Sequence, residues 1–491
     1  MGAAGLAARR EEGEYSPYLT DEQRSRRAGS ARFGDGRLCP PAARSISLAA
    51  TVGRVAPWQV LHRALTALLP LLLATWYGRS TETDLYTLFA TLFTLAGSLV
   101  FTSFQDSALV PIVVDVQRRE PAALPRLAGA LFAYTTLLAS LVALLIGTGV
   151  WLWFRAHVTG PAAALVVPMA VGFSLYLPIL ALRSLSAALL AARFRFLPDA
   201  LAGACGVAVT LAIAALARGR GLALVPFALA GGELVAAALL IGALRRSGLA
   251  IALTLARPAA LMRFVRLVSS EIGGSAVVRL NPLVDQMMAR ALGIVGGGTM
   301  LRLSGDLASF PASLLSSTFL SVLLSHLAAA GADGRRYELR RTVVRSVVAV
   351  AAVFGVTALG ICLVRAPLVT LVYGRGAMDA AALARMAHLL PYHLAGLAPF
   401  GVVLVLARAH VSLGNSRILV GMGALNAAAN LALNLALVGV LGLEGIALAT
   451  SVVNGLMAWI FWIRLQRRLR APDQVTGIGG VPMSPEERRR A

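Results

Sequence analysis

An all-α polytopic membrane protein, with about twelve transmembrane helices in two six-helix halves, is the fold class that three features of the sequence predict. Of its 491 residues 58% are hydrophobic and 14% charged, whereas a soluble globule is roughly 45–50% apolar. From Pro57 onward, apolar runs of about 20 residues or more recur, each long enough to cross a hydrocarbon core of roughly 30 Å. The short segments between these runs alternate between arginine-rich and arginine-poor, as spans crossing back and forth require when the basic loops stay cytoplasmic.

Residues 1–53 hold no continuous apolar run, so the sequence predicts a disordered cytoplasmic tail and no cleaved signal peptide. The expected spans are 57–77, 85–113, 126–154, 161–190, 198–217, 222–244, 263–291, 299–329, 342–364, 380–407, 417–439 and 444–465. They divide into a first half, 54–245, a cytoplasmic connector, 246–262, a second half, 263–466, and a basic cytoplasmic tail, 467–491. One set of loops holds Arg118/Arg119, Arg193/Arg195, Arg245/Arg246/Arg257, Arg335/Arg336/Arg340/Arg341 and Arg408/Arg417. The opposite set is brief and sparser in arginine, which predicts an even number of spans with both termini cytoplasmic.

The formal net charge of +22 would suggest nucleic acid on a soluble protein. Here the positive-inside bias and anionic headgroups account for it, and no aromatic-interleaved basic groove points to nucleic acid. The three cysteines, Cys39, Cys205 and Cys362, have no metal-ligand spacing, so no metal site is expected. The arginine-poor loops are too short for the external catalytic domain of a membrane glycosyltransferase, so no enzyme is expected.

The stretch Leu267–Ala330 carries the most ionisable residues at membrane depth. Glu271, Arg279 and Asp285 lie before the Gly296-Gly297-Gly298 turn, and Arg302, Asp306 and His326 after it. A charge at bilayer depth costs on the order of 2.5–3.5 kcal/mol on insertion scales, so such residues face water or protein partners. Arg302 and Asp306 are stacked at helical spacing and able to pair. Arg279 has Glu271 on nearly the same face, and is either its partner or an anion ligand. Asp84 and Asp285 end corresponding turns of a weak internal repeat, in which a helix stops at Gly78 or Gly293 and a Leu/Phe/Ser-rich helix follows. For Asp84, capping the following helix is the competing role. Asp106, Arg183, Glu233, His326, His388 and His393 are further isolated polar groups. Asn426, Asn430 and Asn434 recur every fourth residue, a stripe expected to join helices.

The run VDQMMARALGIVGGGTMLRLSGDLASFPASLLSSTFLSVLLSHLA, followed by GRRYELRRTV, resembles the MurJ/MviN family of lipid II flippases, within the superfamily of polysaccharide flippases and MATE exporters. GRSTETDLYTLF with SALVPIVVD, and LVYGRGAMDAAALARMAHLL, extend the resemblance over about residues 54–466. It implies a V-shaped MATE/MurJ-like bundle in the bacterial cytoplasmic membrane. In the family, cavity arginines receive a lipid diphosphate. Matching Asp84 to the family's acidic residue puts Arg63 on one of them and Leu69 and Gly97 on two others. The family's A-D-R-L ahead of an F-P pair is Ser304-Gly305-Asp306-Leu307 here, so an arginine has become Asp306. The family also has fourteen spans, so this chain reads as a divergent, twelve-span member.

The expected activity is that of a flippase moving an undecaprenyl-diphosphate-linked glycan to the outer leaflet by alternating access. Arg63, Arg279 and Arg302 are the expected substrate ligands, and Asp84, Glu271, Asp285 and Asp306 the coupling or gating groups. No cofactor is expected, and a proton, sodium or the membrane potential stay open as the driving force. The expected partners are the lipid-linked saccharide, membrane lipids and cell-envelope synthesis proteins. A MATE-like small-molecule exporter and a transport-dead scaffold of envelope synthesis are the alternatives.

Overall fold

The computed structural model describes residues 48–99, 109–158, 160, 162–249, 251–266, 268, 279–313, 336–413 and 417–470. Residues 53–491 form one compact unit. Among the described residues all regular structure is helical.

The helices of the first part are α1 (Leu48–Tyr77), α2 (Thr81–Gly97), α3 (Val110–Arg119), α4 (Leu124–His157), α5 (Ala163–Ala191), α6 (Leu197–Ala217) and α7 (Val225–Arg246). A short α8 (259–266) leads to α9 (Asn281–Ala291) and α10 (297–313). The remainder comprises α11 (Arg336–Leu363), α12 (Arg365–Tyr373), α13 (Ala380–Leu394), α14 (Leu397–Ser412), α15 (Arg417–Leu441) and α16 (Leu443–Arg470). Nine described segments are long and apolar enough to cross a membrane, with α13 and α14 forming one of them. The three other expected spans, 85–113, 263–291 and 299–329, run partly outside the described residues. Helix α1 starts at Leu48, before the expected Pro57, because Pro57 is accommodated inside it.

Burial divides the helices into two groups. Leu85, Phe89, Phe93, Met169, Phe173 and Leu177 build one apolar core, and Leu127, Leu131, Leu189, Leu190, Leu240 and Leu244 continue it along α4, α5 and α7. In the later helices Met300, Leu303, Met386, Leu389, Leu390 and Ile446 form a core, followed by Val405, Leu406, Met457, Phe461 and Leu465. On α6 and α7, Gly206 lies against Gly232 and Ala236, small residues that permit the close approach of helices in a bilayer.

Helix α1 serves both groups. Leu69, Leu73, Trp76 and Tyr77 pack on the first core, while Leu71 and Ala74 pack on the second. Further toward its start, no residue between Arg54 and Leu72 is fully buried.

The bundle has an arginine end, carrying Arg118/Arg119, Arg193/Arg195 and Arg245/Arg246, and a glycine end, where the turns contain Gly78, Gly221, Gly293, Gly296, Gly376 and Gly442, all with positive φ. Gly78 (φ +60°) closes α1, its N–H donating to Ala74 O at 2.9 Å, and Gly293 (φ +68°) closes α9. The two glycines of the sequence repeat therefore take the same left-handed helix-ending conformation, which glycine adopts without steric cost.

Candidate substrate cavity

The two groups of helices meet at the glycine end. Ala377 N–H donates to Thr75 O at 2.8 Å, and a Cβ on Gly78 or Gly376 would fall inside van der Waals contact of that crossing backbone. Arg79 pairs with Asp379 at 2.8 Å, and the Arg290 guanidinium lies 5.3 Å from the centre of the Phe154 ring. Asp84 accepts from Thr299 N–H at 2.8 Å and from Thr299 Oγ1 at 2.9 Å. A helix leaves its first N–H groups without intrahelical acceptors, so Asp84 caps α10 from across the junction. Its own helix is capped by Ser80, which exchanges hydrogen bonds with Thr83. The expected capping role of Asp84 is thus corrected: it caps a helix 215 residues away in the chain, not the one that carries it.

Beyond this closure, toward the arginine end, a cavity of about 480 Å³ opens between α2 and the α9–α10 pair. Thr91, Thr94 and Ser98 line it from α2, Arg279 and Asp285 from around α9, Arg302 and Asp306 from α10, and His393 from α13. Four of the seven residues expected from the sequence as substrate or coupling groups therefore share one cavity. Arg302 and Asp306 stand 3.7 Å apart, the pairing their spacing suggests. Gly305 lets the His393 ring approach, since a Cβ there would meet its Cε1 at 3.3 Å.

Asp285 is anchored by the asparagine stripe. Asn434 Nδ2 donates to Asp285 Oδ1 at 2.6 Å and to Asn430 Oδ1 at 3.1 Å, and Asn430 reaches Thr450 Oγ1 at 3.4 Å. Asn281 donates to Asn426 at 2.8 Å. The stripe joins α9, α15 and α16, and it also orients one carboxylate of the cavity.

The remaining expected residues lie elsewhere. Arg63 is exposed on α1 and does not line the cavity. It precedes Ala74 by eleven residues, which sets the two about 20° apart around an ideal helix. Glu271, Asp106 and His326 lie outside the described residues. Leu69 packs into the first core and Gly97 sits against Leu177 and Leu180, so neither position faces the cavity. The loss of cavity arginines expected at these two positions is therefore not a loss from this cavity, and the reversal at Asp306 is the one that remains in it. Local pattern missed three partnerships: His393 with the cavity, Arg183 with Glu233 at 3.6 Å, and Glu444 with Arg385 at 2.9 Å and His388 at 3.1 Å.

A family model described as the lipid II flippase MurJ matches residues 73–478. The chain belongs to the MurJ lipid II flippase family. Among solved structures it is similar to a lipid II flippase MurJ in an inward closed conformation, with a TM-score of 0.69 and 15% identity over 85% of this chain and 87% of that one. An outward-facing MATE multidrug resistance transporter of the MOP superfamily gives a TM-score of 0.62 at 13% identity, covering 86% of this chain and 95% of its own. A MOP superfamily transporter from Pyrococcus furiosus gives 0.61 at 12% identity over 86% and 95%. No curated protein matches the sequence. The fold is thus the multi-pass helical bundle shared by MurJ and MATE transporters, and family and fold alike are those of membrane transporters.

Proposed function

We propose that this chain moves a lipid-linked saccharide diphosphate, of the undecaprenyl type, from the inner to the outer leaflet of the bacterial cytoplasmic membrane. The observation that carries the reading is the convergence of Arg279 and Arg302 with Thr91, Thr94 and Ser98 in one cavity between the two groups of helices. A guanidinium offers a planar donor fork that matches phosphate oxygens, and hydroxyls add donors for a sugar or phosphate. The arginine end is taken as cytoplasmic, with both termini there, and the contacts at the glycine end as the closed outer gate. Asp84 then acts as a gate group, because rocking the halves apart at that end breaks its two bonds to Thr299. Asp285 and Asp306 are the coupling carboxylates, and the driving ion or potential acts through them.

Lipid II itself is not the proposed preferred cargo. Asp306 replaces a cavity arginine of the family and stands beside Arg302, and with the family's preceding aspartate replaced by Gly305 the motif shifts by one charge unit toward the negative. Attraction to a diphosphate is worth roughly 4 kcal/mol per charge at 4 Å and an effective dielectric of 20, so even partial screening leaves a large difference.

The test is flipping of fluorescent lipid-linked saccharides by the purified full chain in vesicles. Arg279→Ala is expected to lower the rate by at least about tenfold, with lysine a poor rescue, and lipid II to move more slowly than a less highly charged lipid-linked saccharide. Wild-type rates in Arg279→Ala would remove the cavity from the function, and fast lipid II movement would remove the charge argument.

A further inference from the structure

A second gathering of titratable groups lies in the first group of helices, outside the cavity. Arg183 on α5 stands between two carboxylates: its Nη2 is 3.6 Å from Asp199 Oδ1 on α6, and its Nε is 3.6 Å from Glu233 Oε2 on α7. His62 of α1 joins from the side. Gly203 provides the space, since a Cβ there would come within 2.9 Å of His62 Nδ1 and 3.2 Å of Arg183 Nη2. His62 Nδ1, Arg183 Nε and Glu233 Oε2 are buried and have no hydrogen-bond partner. Tyr176, two turns before Arg183 on α5, completes the titratable groups facing Glu233.

The charge count separates this cluster from a structural ion pair. One carboxylate would satisfy Arg183, whereas two leave a net charge of −1 with His62 neutral, and an uncompensated charge at bilayer depth costs several kcal/mol. One added proton makes the cluster neutral. Two carboxylates that share one cation are coupled, so a proton bound by either changes the hold of Arg183 on the other. Asp199 is in the first turn of α6 and is partly exposed, so it opens the cluster toward the arginine end, and Arg183 holds Glu233 close to it.

We infer that Arg183, Asp199, Glu233 and His62 form a proton-binding site that takes up one proton from the arginine end and sets how α1 seats on the first group of helices. When Glu233 is protonated, Arg183 is left to Asp199 and the charge facing His62 becomes more positive by one unit. His62 brings the less buried portion of α1 to this cluster, and the next residue is Arg63. Proton uptake thus moves the helix that packs on both groups. Its place in a transport cycle rests on the function proposed above; the site itself does not.

The test needs no cargo. Spin labels at Val60→Cys on α1 and Leu239→Cys on α7, both exposed positions, report their separation in the full chain in lipid vesicles, with Cys39, Cys205 and Cys362 replaced. The wild-type distance distribution is expected to change between about pH 5 and pH 9. Glu233→Gln should hold the low-pH distribution throughout. Asp199→Asn should lose the transition or move it at least about one pH unit lower, since it removes the surplus carboxylate. Glu120→Gln, on the arginine-end surface, should titrate like wild type. If Glu233→Gln folds poorly, Asp199→Asn carries the decision. A pH-independent wild type, or a Glu233→Gln or Asp199→Asn variant with the wild-type transition, overturns the site and leaves a fixed ion network. A wild-type transition in a protein that flips no lipid-linked saccharide would keep the site and discard the proposed function.

Discussion

In the first group of helices Arg183 stands 3.6 Å from each of two carboxylates, and three polar atoms of the cluster, its own Nε among them, have no hydrogen-bond partner. In the second, Asp285 is held at 2.6 Å by Asn434, which is itself held at 3.1 Å to Asn430. The same problem, a carboxylate at membrane depth, is met once with an ion and once with amides. An ion partner is strong but demands charge balance, so a surplus carboxylate leaves the cluster sensitive to protons. Amides are neutral and directional, so the second arrangement fixes the position of Asp285 and leaves its charge facing the cavity. Under the proposed roles, charge sensing falls to the first group of helices and cargo-side positioning to the second.

The largest effect should follow from breaking the ionic side. Arg183→Ala leaves two carboxylates without their cation, and removing one member of a buried ion network costs on the order of 3–5 kcal/mol. The purified variant should show a clearly lowered thermal midpoint, and Arg183→Ala combined with Glu233→Gln and Asp199→Asn should recover most of it. A single variant as stable as wild type would mean that water already solvates the cluster. Breaking the amide side should cost less. Asn434→Leu removes the donor to both Asp285 and Asn430, a loss of roughly 1–3 kcal/mol for buried groups left unsatisfied. A loss of stability equal to that of Arg183→Ala would erase the distinction between the two arrangements.

Much of this architecture is legible from local pattern. Apolar runs of membrane length gave the spans, because every backbone polar group in lipid has to be satisfied within a helix. Gly78 and Gly293 marked the ends of α1 and α9 because a left-handed terminal residue favours glycine. Arg302 with Asp306, and the asparagine stripe, were readable because their partners or faces repeat along one helix. Asp84 was expected as a gating group with capping of its own helix as the competing role, and the helix it does cap was not legible, since that acceptor role is set by a backbone 215 residues away. Arg183, Asp199 and Glu233 looked isolated for the same reason: they sit on three helices, and spacing along any one of them says nothing about where the others turn. Leu69 and Gly97 show the converse. An ungapped match placed cavity positions on residues that packing turns into the first core.

The smallest effect should come from the ion pair that joins the two groups in the open. Arg79 and Asp379 are 2.8 Å apart, but their side chains are 33% and 49% exposed, and an exposed pair is screened by water and salt. Asp379 has a second role, accepting from Ala382 N–H at 3.0 Å as the cap of α13. That N–H, followed by Arg79, holds its carboxyl below the ordinary carboxylate range. A depressed carboxyl stabilises the folded state above its ordinary pKa of about 3.9, and the contribution fades as pH falls through the lower folded value. Arg79→Ala should therefore barely move the thermal midpoint at neutral pH, and the remaining difference from wild type should vanish in high salt and fade as pH falls below about 4. Thermal unfolding of both proteins in low and high salt, at neutral and acid pH, measures this. A large loss that survives salt would show that closure at the glycine end rests on this charge pair. A negligible one leaves the closure to the backbone crossing at Gly78 and Gly376 and to the hold of Asp84 on Thr299. Those contacts carry no exposed charge, so high salt would leave the gate shut.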